Sequence, residues 1–138
     1  MIVGIGVDLV DIPRLRATLE RFGERARQRL FTAGELEYAD RRSDPARHLA
    51  GRFAAKEAAY KALAGSAVAR GIGWRDVEVV SEVDGRPGLR LHGLAAARAR
   101  ELGLVAVWVS LTHADNVAAA TVVLEAAGGR DGPGRTSV

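Results

Sequence analysis

Of the 20 basic residues in the chain only two are lysine, Lys56 and Lys61, and both fall in residues 48–63, HLAGRFAAKEAAYKAL. A lysine ammonium is a compact charge that can sit on a phosphate or give up a proton, which the planar, permanently charged guanidinium cannot do. With about 100° of rotation per helical residue, Leu49, Phe53, Lys56, Glu57, Tyr60, Lys61 and Leu63 share one broad half of a helix, with Arg52 at its margin. Ala55, Ala58, Ala59 and Ala62 share the other half. An alanine face lets another element come close, so the bulky and charged half is expected to turn toward a cleft. Glu57 and Lys61 are i, i+4 neighbours in the favourable order. Such a pair on a helix is ordinarily a solvated salt bridge, but its setting between Phe53 and Tyr60 marks it for chemistry.

A second carboxylate stands far away in sequence. Residues 1–9 alternate as a strand, with Val3, Ile5, Val7 and Leu9 on one face and Ile2, Gly4, Gly6 and Asp8 on the other. Glycines in a strand permit close approach by a helix, a ligand or another backbone. Asp8 at the end of that bare face could hold a cation, or could simply cap a helix or turn. Two carboxylates from distant segments, without cysteine or clustered histidine, point to a hard cation with oxygen ligands. Mg²⁺ comes first, its shell completed by water and substrate phosphate. Lys61, one turn beyond Glu57, would face the same phosphates. The set suits transfer at a diphosphate: the cation screens charge, a carboxylate or a water takes the nucleophile's proton, and lysine steadies the departing phosphate.

The elements that must position these groups follow from local signals. Asp11 before Pro13 starts a helix carrying Arg14, Arg16, Arg21, Arg25, Arg27 and Arg29 toward Leu30, with a break at Gly23, and this basic surface suits an acidic partner. Thr32 and Glu35 have capping-box spacing and open a short helix to about Asp40. Asp44 and Pro45 read as the N-cap and first residue of the central helix, which Gly65 ends. Residues 65–73, GSAVARGIG, read as a flexible loop able to present backbone N–H groups to phosphate. They match no P-loop. Strands are expected at 76–83 and 89–92, joined by the turn at 84–88, then a helix at 94–102 closed by Gly103. A strand over 105–111, with Val105, Val107, Val109 and Leu111 inward, pairs antiparallel with 117–125. His113 sits in the connection between them.

At 138 residues the chain is most simply one domain with a real core. It has no cysteine, which excludes disulfides and thiolate metal sites and fits a cytoplasmic location. No stretch approaches the roughly 18 apolar residues of a membrane span, so no membrane association is expected. The net charge of +3 and pI of 9.9 suit an anionic partner without choosing one. From residue 126 onward, AAGGRDGPGRTSV is too poor in apolar residues to pack, and disorder is expected over 126–138.

Three blocks, IVGIGVDLVDIPRL, LAGRFAAKEAAYKAL and VSLTHADNVAAATVVLE, resemble in order and separation the signatures of holo-[acyl-carrier-protein] synthase, the short class of 4′-phosphopantetheinyl transferases. The resemblance covers residues 1–125, which would form the transferase domain. It implies an α+β fold with an antiparallel sheet packed against a long central helix, and a homotrimer with active sites between subunits. It also implies transfer of phosphopantetheine from coenzyme A to a serine of an apo acyl carrier protein, releasing adenosine 3′,5′-bisphosphate. Asp8 and Glu57 match the family's Mg²⁺ ligands, Glu57 and Lys61 its catalytic pair, and Arg52, Lys56, Lys61 and His113 its coenzyme A contacts. Arg14 and Arg21 are the candidates for docking an acidic carrier. The chain departs from the family at residues 65–73, where a shorter turn is usual, and at Val117, where a tyrosine is common. A nucleic-acid-binding module is the rival from another class. Sparse aromatic residues and the lack of a nucleic-acid motif weigh against it. A coenzyme A-binding scaffold without transfer is a second rival, against which Asp8, Glu57 and Lys61 stand.

Overall fold

The computed structural model describes residues 1–128. In chain order they form strand β1 (Ile2–Asp11), helix α1 (Ile12–Leu30), α2 (Ala33–Asp40), α3 (Pro45–Leu63), the short α4 (Ala67–Arg70) and a 3-10 turn (Trp74–Asp76). Strands β2 (Val77–Ser81) and β3 (Pro87–Leu91), helix α5 (Gly93–Leu102) and strands β4 (Leu104–His113) and β5 (Val117–Ala126) follow. The α+β class holds, but the strands divide into two sheets. A three-stranded antiparallel sheet runs β1-β5-β4, and β2 and β3 form a separate hairpin.

Helix α3 lies on the three-stranded sheet with its small residues inward. Ala54, Ala55, Ala58, Ala59 and Ala62 are buried, facing a sheet surface built from Ala118, Ala120, Val122 and Leu124 of β5. Contact with β1 is closer still. A methyl group on Gly6 would lie 1.8 Å from the Ala58 carbonyl oxygen, and one on Gly4 would lie 2.3 Å from that of Ala62. The bare face of β1 is therefore where the helix backbone itself sits. The other half of α3 does not turn wholly to a cleft: Phe53 and Glu57 are partly exposed and Tyr60 and Lys61 exposed, whereas Leu49, Lys56 and Leu63 are buried.

The start and stop signals act as local chemistry dictates. Asp11 Oδ1 accepts from the Arg14 N–H at 2.9 Å, and Thr32 and Glu35 form a reciprocal capping box. Helix α1 breaks at Gly23, whose φ of 64° and ψ of −147° lie outside helical space. Asp44 precedes Pro45 as expected but makes no side-chain capping bond; its two oxygens accept from the Arg16 guanidinium at 2.8 and 3.0 Å. Residues 65–73 are not an open loop. They contain α4, and the N–H groups of Ala69, Gly71, Ile72 and Gly73 are spent on Ser66, Val68, Ala69 and Asp76, leaving none of these four for phosphate. Val105, expected inward, is exposed, because a register shift between Leu104 and Ala106 turns it outward; Val107, Val109 and Leu111 are partly buried against the core. His113 is the last residue of β4 rather than a loop residue.

Strand β5 continues through Ala126, which is 8 % exposed and exchanges hydrogen bonds with Met1. The folded part thus runs one residue past the expected boundary. The expectation of disorder beyond it lies, from residue 129, outside the described residues.

Since nothing at the Gly6 contact can yield except backbone, Gly6→Ala should force α3 off β1. The expected loss is roughly 1–3 kcal/mol or more of stability, measured by denaturant unfolding. Gly51→Ala, where a methyl group meets nothing within 4 Å, serves as the control that should unfold no more readily than the wild type, since alanine is the better helix former by about 0.5–1 kcal/mol.

Candidate active site

Asp8 is positioned by the same contact that makes the fold. It follows Gly4 and Gly6 on the face of β1 against α3, and its side chain is 10 % exposed. Oδ1 accepts from Lys61 Nζ at 2.8 Å, and Nζ also donates to the Val7 carbonyl at 3.1 Å. Oδ2 is buried without a hydrogen-bond partner. Glu57 lies alongside. Burial, followed by the adjoining Asp8, pushes its carboxyl above the ordinary value, with Lys61 pulling the other way. The Lys61 ammonium is held above its usual range chiefly by its hydrogen bond to Asp8.

Two carboxylates pressed together, one with an orphaned buried oxygen, fit a divalent oxygen-seeking cation. Among the described residues no group of three or more histidine, cysteine or acidic side chains could hold a metal. A cation at Asp8 and Glu57 would thus take its remaining ligands from water and substrate.

Lys56 corrects the sequence reading. Its side chain is 1 % exposed, and Nζ is paired with Glu35 at 2.7 Å and donates to the carbonyls of Trp74 at 2.8 Å and Val77 at 2.6 Å. Those three partners match the three donors of an ammonium, so none remains for coenzyme A. Burial drives the Lys56 ammonium downward and Glu35 opposes the shift. Glu35 is itself fully used, accepting also from the N–H groups of Thr32 and Val79. Lys56 is a structural tie from α3 to the 3-10 turn and β2.

A cationic cluster lies toward the other end of α3. Arg42 and Arg52 place their guanidinium carbons 3.3 and 3.7 Å from the Tyr38 ring centroid, and His48 meets the same ring edge-on at 6.0 Å. Arg52 is 6 % exposed, and its Nε, like that of Arg47, is buried without a partner. Burial lowers both Arg52 and His48, and His48 is lowered further by Arg42, Arg52 and His113. None of Arg42, Arg47 and Arg52 forms a salt bridge among the described residues. Arg42 Nη1 donates to the Tyr38 carbonyl at 2.6 Å and Arg52 bonds the Tyr38 side chain; guanidiniums without a carboxylate partner beside a histidine suit a phosphate. Arg52 and His113 are thereby brought within electrostatic reach of one region, with Arg52 roughly 7 Å along the helix axis from Glu57. Tyr38, Arg42, Arg47 and His48 had not been singled out. The signal was the basic run on both sides of Pro45, read only as a connection and a helix start.

Arg14 lines a hollow of 440 Å³ together with Leu15, Leu30, Phe53 and Glu57, so the first turn of α1 borders the carboxylate. Arg21 stands apart over the Phe22 ring at 5.1 Å, in a surface hollow shared with Arg25, Arg29 and Trp74.

Residues 4–122 match the family described as the 4′-phosphopantetheinyl transferase superfamily. The chain belongs to that superfamily. A holo-[acyl-carrier-protein] synthase of Methylobacterium sp. (strain 4-46) is 52 % identical over 130 residues, which span 91 % of this chain and 96 % of the relative. Among solved structures, the ACPS–CoA complex of Chronobacterium ammoniagenes superposes with a TM-score of 0.77 at 34 % identity, covering 89 % of this chain and 96 % of that one. The holo-(acyl-carrier-protein) synthase of Bacillus anthracis in complex with CoA (3′,5′-ADP) superposes at 0.72 with 32 % identity, covering 92 % and 99 %. No helix among the described residues is long and apolar enough to cross a membrane.

The Glu57 carboxyl supplies a pH test of the superfamily site in the metal-free protein. A folded-state pKa raised above the ordinary 4.5 means that folding favours the protonated acid. Its contribution to stability is full below that ordinary value and is lost as pH rises through the raised one. Thermal unfolding in chelator should show the loss across that window, and Asp8→Asn should shrink it by removing the repelling charge. Equal pH slopes in the two proteins would count against the carboxylate contact.

Proposed function

We propose that this chain transfers 4′-phosphopantetheine from coenzyme A to a serine of an apo acyl carrier protein, using Asp8, Glu57 and Lys61. The observation that carries the assignment of residues is the orphaned Asp8 oxygen facing Glu57, with the Lys61 ammonium on the same carboxylate. Mg²⁺ held by Asp8 and Glu57 would neutralise charge on the diphosphate oxygens. Asp8 and Glu57 would hold that cation between the strand and the helix. Lys61 has two of its three donors on Val7 and Asp8, leaving one to reach a phosphate oxygen of the leaving group.

The serine Oγ attacks the phosphorus that bears pantetheine, and Glu57 takes its proton. The bond from that phosphorus to the bridging oxygen breaks, and adenosine 3′,5′-bisphosphate departs with Lys61 on its charge. Arg52, Arg42 and His113 form the anchor for a nucleotide phosphate, remote from the reacting atom. Arg14, beside the hollow that reaches Glu57, meets the carrier, and Arg21 extends the same basic helix.

A homotrimer belongs to the same reading. The outer sheet face leaves Ile5, Val7, Leu9 and Trp108 exposed at 63, 58, 68 and 56 %, and Ile5, Val123 and Trp108 form one row across its strands. Apolar area of that kind suits burial against further copies. Sedimentation should give three chains per particle, and a monomer would remove this element of the reading.

The decisive experiment is mass spectrometry of an apo acyl carrier protein incubated with this chain, coenzyme A and Mg²⁺. A gain of one phosphopantetheine is expected, and an unmodified carrier would sink the assignment. Under the same conditions Arg14→Glu should raise KM for the carrier far more than for coenzyme A, and less so at high salt. Lys61→Arg should lower kcat by at least about tenfold, equivalent to about 1.4 kcal/mol, with a smaller change in coenzyme A affinity, because a wider guanidinium misplaces the diphosphate. Near-wild-type turnover would leave Lys61 as a generic charge.

A further inference from the structure

Arg98, on helix α5, lies outside every group of residues considered so far, yet its guanidinium ends on the helix that carries Glu57 and Lys61. Its side chain is 12 % exposed. Nε donates to the Leu63 carbonyl at 2.8 Å and Nη2 to the Ala64 carbonyl at 3.0 Å. These belong to the last residue of α3 and to its C-cap. The final turn of a helix leaves its carbonyls without intrahelical partners, and a cation there also meets the negative end of the helix dipole. Leu63 is fully buried, so its carbonyl would be costly to leave unmet.

The backbone itself closes this helix end weakly. The Ala64 N–H reaches the Lys61 carbonyl at 3.4 Å, longer than an ordinary bond of this kind. Gly65 follows with a φ of 115°, well away from the left-handed conformation in which a glycine commonly ends a helix. A β-carbon on Gly65 would lie 3.2 Å from Arg98 Nη2, so the bare residue gives the guanidinium room to close over the helix. The next segment is tied in by the same pair of α5 residues. Glu101 accepts from Ser66 Oγ at 2.8 Å and from Arg98 Nη1 at 3.4 Å, and Ser66 caps α4.

Lys61 stands in that last turn, two residues before the end of α3. Its ammonium is exposed and spans to β1, where it bonds the Val7 carbonyl at 3.1 Å and Asp8 at 2.8 Å. A long stem that reaches across to another element keeps its aim only while its own backbone is held. We propose, resting on the transferase reading above, that Arg98 is a positioning residue: by capping α3 it holds the turn that aims Lys61 at the departing phosphate. Arg98 does not border the hollow that Lys61 and Glu57 line, so it acts through Lys61 and not on the substrate. Without the cap the last turn frays, and misplacement of about 1 Å at a reacting group can cost about a hundredfold in rate. The loss falls on kcat, since neither the carrier surface of α1 nor the cationic cluster at the other end of α3 is touched.

The test is a double-mutant cycle on the full chain, with transfer to an apo acyl carrier protein as the assay. Arg98→Leu should lower kcat by at least about tenfold in the wild-type background and by less than about twofold in Lys61→Ala, because the second loss is already contained in the first. KM for the carrier should stay at the wild-type value. Arg100→Leu removes the same charge from an exposed position on the same helix and should leave turnover unchanged. Should Arg98→Leu not fold, Arg98→Gln, which keeps an N–H donor, carries the same cycle. Hydrogen exchange without substrate or metal gives a second readout: in the Arg98 variant the amides of residues 60–64 should exchange at least about tenfold faster relative to those of 52–56. Equal losses of kcat in the two backgrounds overturn the proposal, as does unchanged turnover in the Arg98 variant or an equal acceleration of exchange along α3. A wild-type chain that transfers nothing would instead overturn the transferase reading, and this proposal with it.

Discussion

The structure depends on one helix and one strand meeting closer than any β-carbon permits. Gly4 and Gly6 of β1 touch the backbone of α3 at Ala62 and Ala58, and the alanine face of α3 spreads the contact onto β5. That contact does more than bury surface. Asp8 follows the glycines on the same face, and Glu57 precedes Ala58 on the helix, so the two carboxylates are forced together by the same geometry that packs the core. Like charges in one place oppose folding, and Lys61 offsets part of that opposition by bonding Asp8. The site is strained electrostatically because the scaffold leaves it no alternative.

The cations of the chain divide by their surroundings rather than by their residue type. Lys56 and Lys61 are five residues apart on one helix, yet one ends in the interior with all its donors used and the other ends at the surface with a donor to spare. An unpaired charge at the Lys56 position would be intolerable, and Glu35 with two backbone carbonyls makes it permissible. Arg42 and Arg52 show the converse arrangement, with guanidiniums gathered around Tyr38 and without the carboxylate salt bridges that Arg16 and Arg27 have found.

Much of this was legible beforehand. The strand with its bare face, the caps of α1 and α2, the break at Gly23 and the candidacy of Asp8, Glu57 and Lys61 follow from residue type and spacing, because each depends on contacts within a turn or on a period of alternation. The Lys56 assignment failed for a reason of the same kind. Helical periodicity puts Lys56 beside Glu57, but it cannot say that Glu35, 21 positions earlier, arrives to bury it. The loop at 65–73 was misread since the Ala69 and Gly73 N–H groups are taken by the Ser66 and Asp76 side chains and those of Gly71 and Ile72 by the Val68 and Ala69 carbonyls, which composition alone cannot aim.

By itself, the sequence determined the elements, the motif residues and the chemistry they could support, since caps, glycine clearances and i, i+4 neighbours are local properties of the chain. Tertiary structure alone decided which of those groups meet. It brought Asp8 to Glu57 across 49 positions, took Lys56 out of solvent, and gathered Tyr38, Arg42 and His48 around Arg52. It also split the strands into a sheet and a hairpin. The physical reason is that contacts between distant segments are set by how faces pack against one another, and a face's partner is written in no single stretch of residues.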